Sequence, residues 1–267
     1  MGNIVIQPRF DNASTFSGGL APACQNGRWG FIDKAGLFVI PQQFDDSSSF
    51  CGGLASVLIG GKWGFVDMSG QIVIHPQYDR VKWFVDGLAA VKIGTNWGYV
   101  DASGEMAIQP KFGSVDSFRD GIAMVVSGGK RGYINTGGDY VIEPTFARAR
   151  SFAEGLAAVR VGDRWGYIDK TGEMVIAPEF DHAGEFSDGE AGVSIGKERS
   201  FIDTRGQVIL KCPSHCVISG FCDGLAVAIS YPDGPSQSWY MDRNLRQVFG
   251  RKFTAASIFE RVRPLSG

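Results

Sequence analysis

RWGYIDKTG at residues 164–172 is the stretch that decides the fold, because related versions of it recur along the chain. The other versions are RWGFIDKAG from Arg28, KWGFVDMSG from Lys62, NWGYVDASG from Asn96, KRGYINTGG from Lys130 and ERSFIDTRG from Glu198. Their second residues follow one another in steps of 34 residues (63 − 29 = 34): Trp29, Trp63, Trp97, Arg131, Trp165 and Arg199. A repeat of fixed length predicts copies of one small unit rather than one irregular domain.

Each copy has the sequence features of short strands joined by tight turns. In the clearest copy, Leu156–Val161 and Trp165–Asp169 are short and rich in β-forming residues, so they predict two paired strands. Met174–Ile176 predicts a further strand, which should stop at Pro178 because proline cannot donate to a β-ladder. The segment Phe146–Phe152 fits either a fourth strand or an irregular loop. The chain begins with Ile4–Ile6, which resembles the strand at Met174–Ile176.

These elements predict an all-β fold, with tandem antiparallel β-meander repeats of about 34 residues in an open, twisted, solenoid-like array. The alternative is a closed β-propeller-like ring, since seven blades are permitted. A unit of 34 residues is nevertheless shorter than the roughly 40–45 residues of a four-stranded blade. We expect a single repeat domain over residues 1–267, with a partial unit at 1–9 and a terminal fragment at 253–267. The seven units start near Phe10, Phe44, Tyr78, Phe112, Phe146, Phe180 and Ser214.

Equivalent positions of the units predict which side chains are buried. One position holds a small residue: Ala21, Ala55, Ala89, Ala123, Ala157, Ala191 and Ala226. Two residues later, on the same face of the strand, valine recurs: Val57, Val91, Val125, Val159 and Val193. A ring follows each tryptophan position at a distance of two residues: Phe31, Phe65, Tyr99, Tyr133, Tyr167, Phe201 and Tyr240. We expect these columns to form the core, each tryptophan to pack against a neighbouring unit, and the intervening glycine to mark a close approach.

The repeated segments also resemble a known family. The WG-F/Y-I/V-D block, the Asp-x-x-Gly turn, the Val-Ile-x-Pro-x-Phe-Asp segment and the Gly-Leu-Ala-x-Val segment recur in fixed order over almost the whole chain. Together they resemble the WG repeat (KWG-type) family, a bacterial β-rich repeat of variable copy number. Arg131, Arg199 and Ser238 stand where this family has tryptophan, so their units depart from the pattern. The resemblance implies a β-repeat scaffold and no defined reaction, so it assigns no catalytic residue.

Composition and charge exclude several functional classes. The net charge of −2 and the pI of about 5.9 provide no basic stripe for nucleic acid or anionic lipid. No apolar run approaches the roughly 20 residues of a membrane span. The chain starts without the features of a signal peptide, and it starts in mid-repeat, which is compatible with a further segment upstream. Its five cysteines are odd in number and not periodic, which favours a reducing cytoplasm.

The residue types that carry chemistry are distributed as turn or surface residues. An aspartate ends the tryptophan-bearing strand in most units: Asp33, Asp67, Asp101, Asp169, Asp203 and Asp242. Since a glycine usually follows three residues later, we interpret each aspartate as an acceptor of turn N–H groups. The histidines, His75, His182 and His215, occupy different repeat positions and indicate no convergent site, and the glycine pairs form no phosphate loop. We therefore expect no enzymatic activity and no cofactor.

One cysteine cluster departs from the repeat. Cys212, His215 and Cys216 replace the expected Pro and Phe at the junction of the sixth and seventh units, and Cys222 follows six residues later. Three thiols and an imidazole could form a tetrahedral zinc site. A disulfide between Cys212 and Cys216, or burial of the cysteines as small hydrophobic residues, is the alternative. The spacing is not that of a standard Cys-x2-Cys pair, so zinc is an alternative rather than the expectation.

Two further tryptophans, Trp83 and Trp239, lie outside the 34-residue register, and if exposed they could anchor a partner protein or stack on a sugar. Arg80, Lys82 and Lys92 lie near Trp83 and could form a basic-aromatic patch with it. We expect a non-catalytic scaffold that binds another protein. A carbohydrate or cell-envelope binding module is the alternative, and a zinc-dependent activity at the cysteine cluster is the third hypothesis.

Two rows of variable positions are the expected contact surfaces for a partner, because repetition builds an extended surface and variable residues supply specificity. The first row flanks the strand before each proline position: Gln7, His75, Gln109, Glu143, Ala177 and Lys211. The second row occupies hairpin tips: Asn26, Gly60, Thr95, Gly129, Asp163 and Lys197.

Overall fold

The computed structural model describes residues 4–212, 216–218, 224–230, 237–242, 248 and 253–254. By its internal contacts the chain divides into two compact units, Met1–Thr145 and Phe146–Gly267. Among the described residues there are 28 β-strands and no helix. The expectation of an all-β fold is therefore confirmed.

The strands form seven four-stranded antiparallel sheets within the described part of the chain, and each sheet is a meander of four consecutive strands. We number these sheets 1 to 7 in chain order. Their first strands begin 34 residues apart (46 − 12 = 34, and so on to Cys216). The repeat read from the sequence therefore corresponds to one sheet per period, which confirms the tandem β-meander architecture.

Strand bounds repeat closely from sheet to sheet. The first strands are β1 (Asn12–Ala13), β5 (Asp46–Ser47), β9 (Arg80–Val85), β13 (Ser114–Val115), β17 (Arg148–Ala149), β21 (His182–Ala183) and β25 (Cys216–Ile218). The second strands are β2 (Ala21–Gln25), β6 (Leu54–Ile59), β10 (Leu88–Ile93), β14 (Ile122–Ser127), β18 (Leu156–Val161), β22 (Glu190–Ile195) and β26 (Leu225–Ser230). The third strands are β3 (Arg28–Ile32), β7 (Lys62–Asp67), β11 (Asn96–Asp101), β15 (Lys130–Asn135), β19 (Arg164–Asp169), β23 (Glu198–Asp203) and β27 (Gln237–Asp242). The fourth strands are β4 (Phe38–Phe44), β8 (Ile72–Tyr78), β12 (Met106–Phe112), β16 (Tyr140–Phe146), β20 (Met174–Phe180), β24 (Val208–Lys211) and β28 (Phe253–Thr254).

The segment for which the sequence left strand and loop open is mostly loop. It contributes a first strand of only two residues in five of the seven described sheets, followed by irregular chain. Sheet 3 differs, because β9 extends over six residues and ends at the hairpin turn Asp86-Gly87. Both turn residues have positive φ, 52° and 78°, which the primed hairpin turns require. The same turn conformation recurs at Asp120-Gly121 and Glu154-Gly155, where the first strands have only two residues, so the turn alone does not account for the length of β9.

The fourth strands do not stop at proline as expected from Pro178. In sheet 5, Trp165 pairs with Phe180 and Tyr167 pairs with Ile176, so two steps on β19 match four steps on β20. The extra residues form a bulge that removes Pro178 from the ladder, and β20 lies at the edge of its sheet. A Cβ atom on Gly166 would lie 2.5 Å from the Ile176 carbonyl oxygen. The glycine that follows the tryptophan is thus required, because the bulged backbone of the fourth strand leaves no room for a side chain there.

Within each of the two compact units, the core lies between consecutive sheets. Between sheets 2 and 3, Phe65 and Ile74 of sheet 2 pack in one cluster with Ala89, Val91 and Val100 of sheet 3. Phe65 is 1% exposed and the three sheet-3 residues are fully buried. The same arrangement joins sheets 1 and 2, 3 and 4, and 5 and 6, and partly buried or buried tryptophans belong to each cluster. The prediction that each tryptophan packs against a neighbouring unit is confirmed for Trp29, Trp63, Trp97 and Trp165.

The predicted strand at Ile4–Ile6 is wrong, since this segment has no strand pairing. One of its side chains, that of Ile6, nevertheless occupies the position that an isoleucine of the preceding fourth strand has in later repeats. Ile6 lies against Gly36 of sheet 1, as Ile40 lies against Gly70 and Ile74 against Gly104. Ile6 also packs, with Phe10, against buried residues of sheet 1. The apolar side chain of Ile6 therefore packs like those of a repeat, although the segment forms no strand.

Candidate functional site

Within residues 4–212, the recurrent aspartates at the end of the third strands are turn residues, as the sequence predicted. In sheet 5 the Asp169 Oδ1 atom accepts the backbone N–H groups of Thr171 and Glu173, at 2.9 and 3.0 Å. The Thr171 hydroxyl donates to the same oxygen at 2.6 Å and is the largest of the contacts that lower the pKa of Asp169. Ser69 and Ser103 lower the pKa of Asp67 and Asp101 in the same way. These carboxylates are engaged locally in their turns.

A second set of carboxylates, whose role the sequence reading did not assign, connects consecutive repeats. Asp79 accepts a hydrogen bond from the backbone N–H of Gly94 at 2.6 Å and pairs with Lys62 Nζ at 2.6 Å. The hydrogen bond from Lys62 is the main cause that lowers the pKa of Asp79. Asp181 makes the equivalent contacts with Gly196 and Arg164. The recurrence of aspartate after the aromatic residue that starts a unit was the signal for this role.

Both predicted contact rows are solvent-exposed. The six residues of the row beside the fourth strands and the six residues of the hairpin-tip row are all exposed to solvent. The fourth strands add exposed apolar side chains two residues before most members of the first row: Val73, Val141, Val175 and Ile209. Each row therefore presents a changing series of side chains at fixed intervals.

Trp83 is the largest exposed aromatic side chain among the described residues, with 62% of its surface accessible. On β9, Val81 pairs with Val91 and Phe84 pairs with Ala89, so three steps on β9 match two on β10. The extra residue is a β-bulge, which redirects side chains locally. Phe84 is buried at 4% exposure while Trp83 is directed to solvent. Equivalent positions in other units hold Thr15, Ser49, Ser117, Ser151 and Glu185, so the tryptophan is particular to sheet 3.

The basic residues near Trp83 are partly engaged in structural contacts. Lys82 Nζ donates to the Val115 carbonyl oxygen at 2.8 Å and lies 3.3 Å from Asp116 Oδ1. Arg80 and Lys92 are directly opposite each other on β9 and β10. Lys82 therefore links sheets 3 and 4, whereas Arg80 and Lys92 form a cross-strand pair at the start of β9.

Trp239 has a different environment from Trp83. It lies on β27 of sheet 7, is half-buried, and packs against a cluster that includes Phe201, Ala226, Ala228 and Met241. Most of the face of this indole is thus used in packing between sheets 6 and 7. Of the two tryptophans outside the repeat register, Trp83 alone has the exposure that an anchor for a partner requires.

The cysteine cluster is only partly described. Cys212 is half-buried beside β24, and its backbone N–H donates to the Arg199 carbonyl oxygen at 2.8 Å. The backbone of Cys216 begins β25, whereas His215 and Cys222 lie outside the described residues. Among the described residues there is no group of three or more His, Cys, Asp or Glu side chains that could hold a metal ion. The zinc hypothesis for Cys212, His215, Cys216 and Cys222 therefore stays a prediction.

Cys212 belongs to a row of polar side chains that the sequence reading did not recognise. On sheet 6, His182 pairs with Ser194 and Ser194 pairs with Arg199, while Cys212 bonds to Arg199 through the backbone. Residues directly opposite in antiparallel strands share one face of the sheet. This face borders a cavity of about 370 Å³, and the described residues that line it are His182, Gly192, Val193, Ser194, Arg199, Ser200, Phe201 and Cys212. We call it the sheet-6 cavity.

The His182 imidazole contacts the Arg150 guanidinium. Arg150 Nε donates to the Ala183 carbonyl oxygen at 2.8 Å, and its terminal nitrogen lies 3.0 Å from His182 Nε2. Because a guanidinium group has no acceptor, Nε2 must accept this bond and Nδ1 carries the proton. Partial desolvation, followed by the charges of Arg150 and Arg199, lowers the pKa of His182. The neutral ring therefore offers one N–H donor beside the Arg199 guanidinium.

Fold and sequence together place the chain in a class and then in a family. The seven meanders define a tandem β-repeat protein. The sequence pattern described as WG containing repeat matches residues 1–29, 29–63, 63–95, 97–130, 132–165 and 165–198. Since these matches cover more than half of the sequence, the chain belongs to the WG-containing repeat family. No curated protein sequence matches the chain.

Solved structures show similarity at the level of the fold alone. A eukaryotic initiation factor has a TM-score of 0.61 and 12% identity, over 93% of this chain and 79% of that chain. The dihydro-heme d1 dehydrogenase NirN has a TM-score of 0.52 and 14% identity, over 92% and 66% of the two chains. Hsv2 of Kluyveromyces marxianus has a TM-score of 0.51 and 10% identity, over 88% and 95%. These neighbours are β-propeller-like repeat proteins. In the described part of this chain, no helix has the length and apolar character needed to cross a bilayer.

Proposed function

We propose that this tandem β-repeat protein is a non-catalytic scaffold that binds another protein, with Trp83 as an anchor residue of the contact surface. The exposed indole at the β9 bulge is the observation that carries this proposal. Tryptophan combines a large apolar area with a polar N–H group and few rotatable bonds, so it is enriched among residues that dominate binding energy. A β-strand position also orders the side chain before the partner arrives, which lowers the entropic cost of association.

The surroundings of Trp83 support a proteinaceous partner with an acidic rim. Phe84 anchors β9 from the opposite face, where its ring lies 4.9 Å from that of Phe65. Arg80 is exposed and Lys92 is half-buried on the neighbouring strand. A hydrophobic centre with a charged periphery is the usual organisation of protein interfaces. The variable, exposed rows beside the fourth strands and at the hairpin tips extend this surface over several units and supply specificity.

The test is capture from a native lysate with immobilised protein, followed by binding of the identified partner in purified form. We expect Trp83→Ala to weaken that purified interaction by at least about tenfold, the effect typical of an interface anchor. Leu37→Ala is the matched control, because Leu37 is 61% exposed and lies in another sheet. Equal affinity of the wild type and Trp83→Ala would contradict the placement of the contact surface.

Carbohydrate binding is the second candidate, because an exposed indole can also stack on a sugar ring. A glycan array and peptidoglycan pull-down with wild type and Trp83→Ala distinguish the two. Saturable glycan binding that is lost in Trp83→Ala, without a captured protein, would replace the scaffold proposal by a carbohydrate-binding function.

A further inference from the structure

The sheet-6 cavity lies where two aromatic rings of the repeat are missing. In sheet 5 the corresponding cross-strand row consists of Arg148, Arg160, Trp165 and Phe180. Trp165 is 8% exposed and Phe180 is 3% exposed, so these rings fill the space beside the sheet. In sheet 6 the same row is His182, Ser194, Arg199 and Cys212. Exchanging an indole and a phenyl ring for an arginine and a cysteine leaves room next to the core.

The departure in sheet 6 involves the backbone as well as the side chains. Ser200 replaces the glycine of the repeat, and β24 ends at Lys211 without the bulge seen in β20. Gly192 replaces Ala158 of sheet 5 and is directly opposite Phe201. A Cβ atom at Gly192 would lie 3.6 Å from Phe201 Cε1, which is ordinary contact. The glycine is therefore not required by backbone packing, and it widens the cavity by a methyl group.

The cavity has a polar end and an apolar end. Arg199 and His182 lie on one cross-strand row, and Gly192 and Phe201 lie two residues further along their strands. Two residues of a strand span about 6–7 Å. Among the described residues no ion pair involves Arg199, and the nearby carboxylate Asp181 is paired with Arg164 at 2.6 Å. Within the described part of the chain, the Arg199 guanidinium therefore has no carboxylate partner, and His182 lines the same end of the cavity.

The geometry points to the sheet-6 cavity as a binding site for a small organic carboxylate with an aromatic or similarly apolar body. The carboxylate would accept hydrogen bonds from Arg199 and from His182, and the body would lie against Phe201. Arginine suits this role because its planar fork matches both oxygens of a carboxylate. The volume of about 370 Å³ lies within the usual range for small-molecule sites. A bare inorganic anion would leave the apolar end unfilled.

Titration calorimetry with benzoate and indole-3-acetate, against benzamide and inorganic phosphate, tests this site. We expect saturable binding of at least one carboxylate and at least tenfold weaker binding of benzamide and phosphate. Arg199→Ala should weaken carboxylate binding at least tenfold, since it removes a charged hydrogen-bond donor. Gly192→Ala should weaken binding by narrowing the cavity, while circular dichroism and urea unfolding check that both variants are folded.

Arg131→Ala is the matched control, because Arg131 occupies the equivalent position of sheet 4, where Gly132 and Pro144 keep the repeat pattern. We expect it to bind the carboxylate like the wild type. The proposal is overturned if neither carboxylate binds saturably, if benzamide or phosphate binds as tightly, or if folded Arg199→Ala retains wild-type affinity. Equal weakening by Arg131→Ala would also overturn it, since the effect would then come from net charge.

Discussion

The glycine after each tryptophan determines the path of the fourth strand. With no side chain at Gly166, the β20 backbone crosses so closely that a Cβ atom would lie 2.5 Å from the Ile176 oxygen. Sheet 6 supplies the natural counterexample, because Ser200 occupies this place and the fourth strand pairs there without the bulge. The glycine, the bulge and the proline therefore depend on one another, and all three are absent from their usual positions in sheet 6.

We expect Gly166→Ala to destabilise the protein by about 1–3 kcal/mol or more, because the backbone must shift to relieve the clash. Urea unfolding followed by circular dichroism measures the change. Gly192→Ala is the control, since its added Cβ atom meets Phe201 at an ordinary 3.6 Å. Equal stability of Gly166→Ala and the wild type would show that the bulged backbone yields at little cost.

The turn aspartates predict a dependence of stability on acid. Hydrogen bonds, first that of Thr171, hold the folded-state pKa of Asp169 below its unfolded value. The contribution of this group is therefore complete above about pH 4 and is lost as the pH falls through the folded pKa. We expect Asp169→Asn, which keeps the acceptor as Asn135 does in sheet 4, to reduce the loss of stability below pH 4. Urea midpoints between pH 7 and 3 measure this, with Glu179→Gln as the control; an unchanged profile would contradict it.

At the scale of the element, a sheet with two neighbours in its own compact unit, such as sheet 2, supplies one half of two cores. The ring-bearing face of sheet 2 packs on the alanine–valine face of sheet 3. A small column opposite a large one allows the sheets to approach closely and fill the space between them. Carboxylates such as Asp79 then tie the third strand of one sheet to a hairpin of the next. A sheet removed from its neighbours would expose apolar surface on both faces.

Phe65→Ala should therefore cost about 3–5 kcal/mol, the range for deleting a fully buried aromatic ring. Chemical denaturation gives the value. Trp83→Ala, at an aromatic residue that is 62% exposed, should stay within about 0.5 kcal/mol of the wild type. A large loss of stability in Trp83→Ala would mean that this indole supports the fold, and it would weaken the case for a contact residue.

At the scale of the whole molecule, the repeat predicts a periodic distribution of stability within the described residues. The second and third strands are paired on both sides within their sheets, whereas most first strands contain two residues. We expect hydrogen exchange to show slow amides in the second and third strands at 34-residue intervals, with faster exchange in the first strands. Mass spectrometry of peptic fragments reads this pattern. One protected block without periodicity would contradict it.

The sequence alone determined the repeat, the all-β class and the buried columns, because periodic side chains must meet equivalent neighbours in every unit. It also predicted Trp83 as unusual, since that residue breaks the register. It placed the end of the fourth strand wrongly at Pro178, because a bulge depends on backbone contacts between strands that no local propensity encodes.

Only the tertiary structure decided which departures from the repeat pattern lie at a surface or a cavity where they could bind another molecule. It buried much of Trp239 and left Trp83 in solvent, although both depart from the repeat. It also brought His182, Ser194, Arg199 and Cys212, which are separated by up to 30 residues (212 − 182 = 30), into one row beside a cavity. The physical reason is that strand register and the facing of neighbouring sheets decide which side chains meet, and these arise from the packing of the whole repeat rather than from any single stretch.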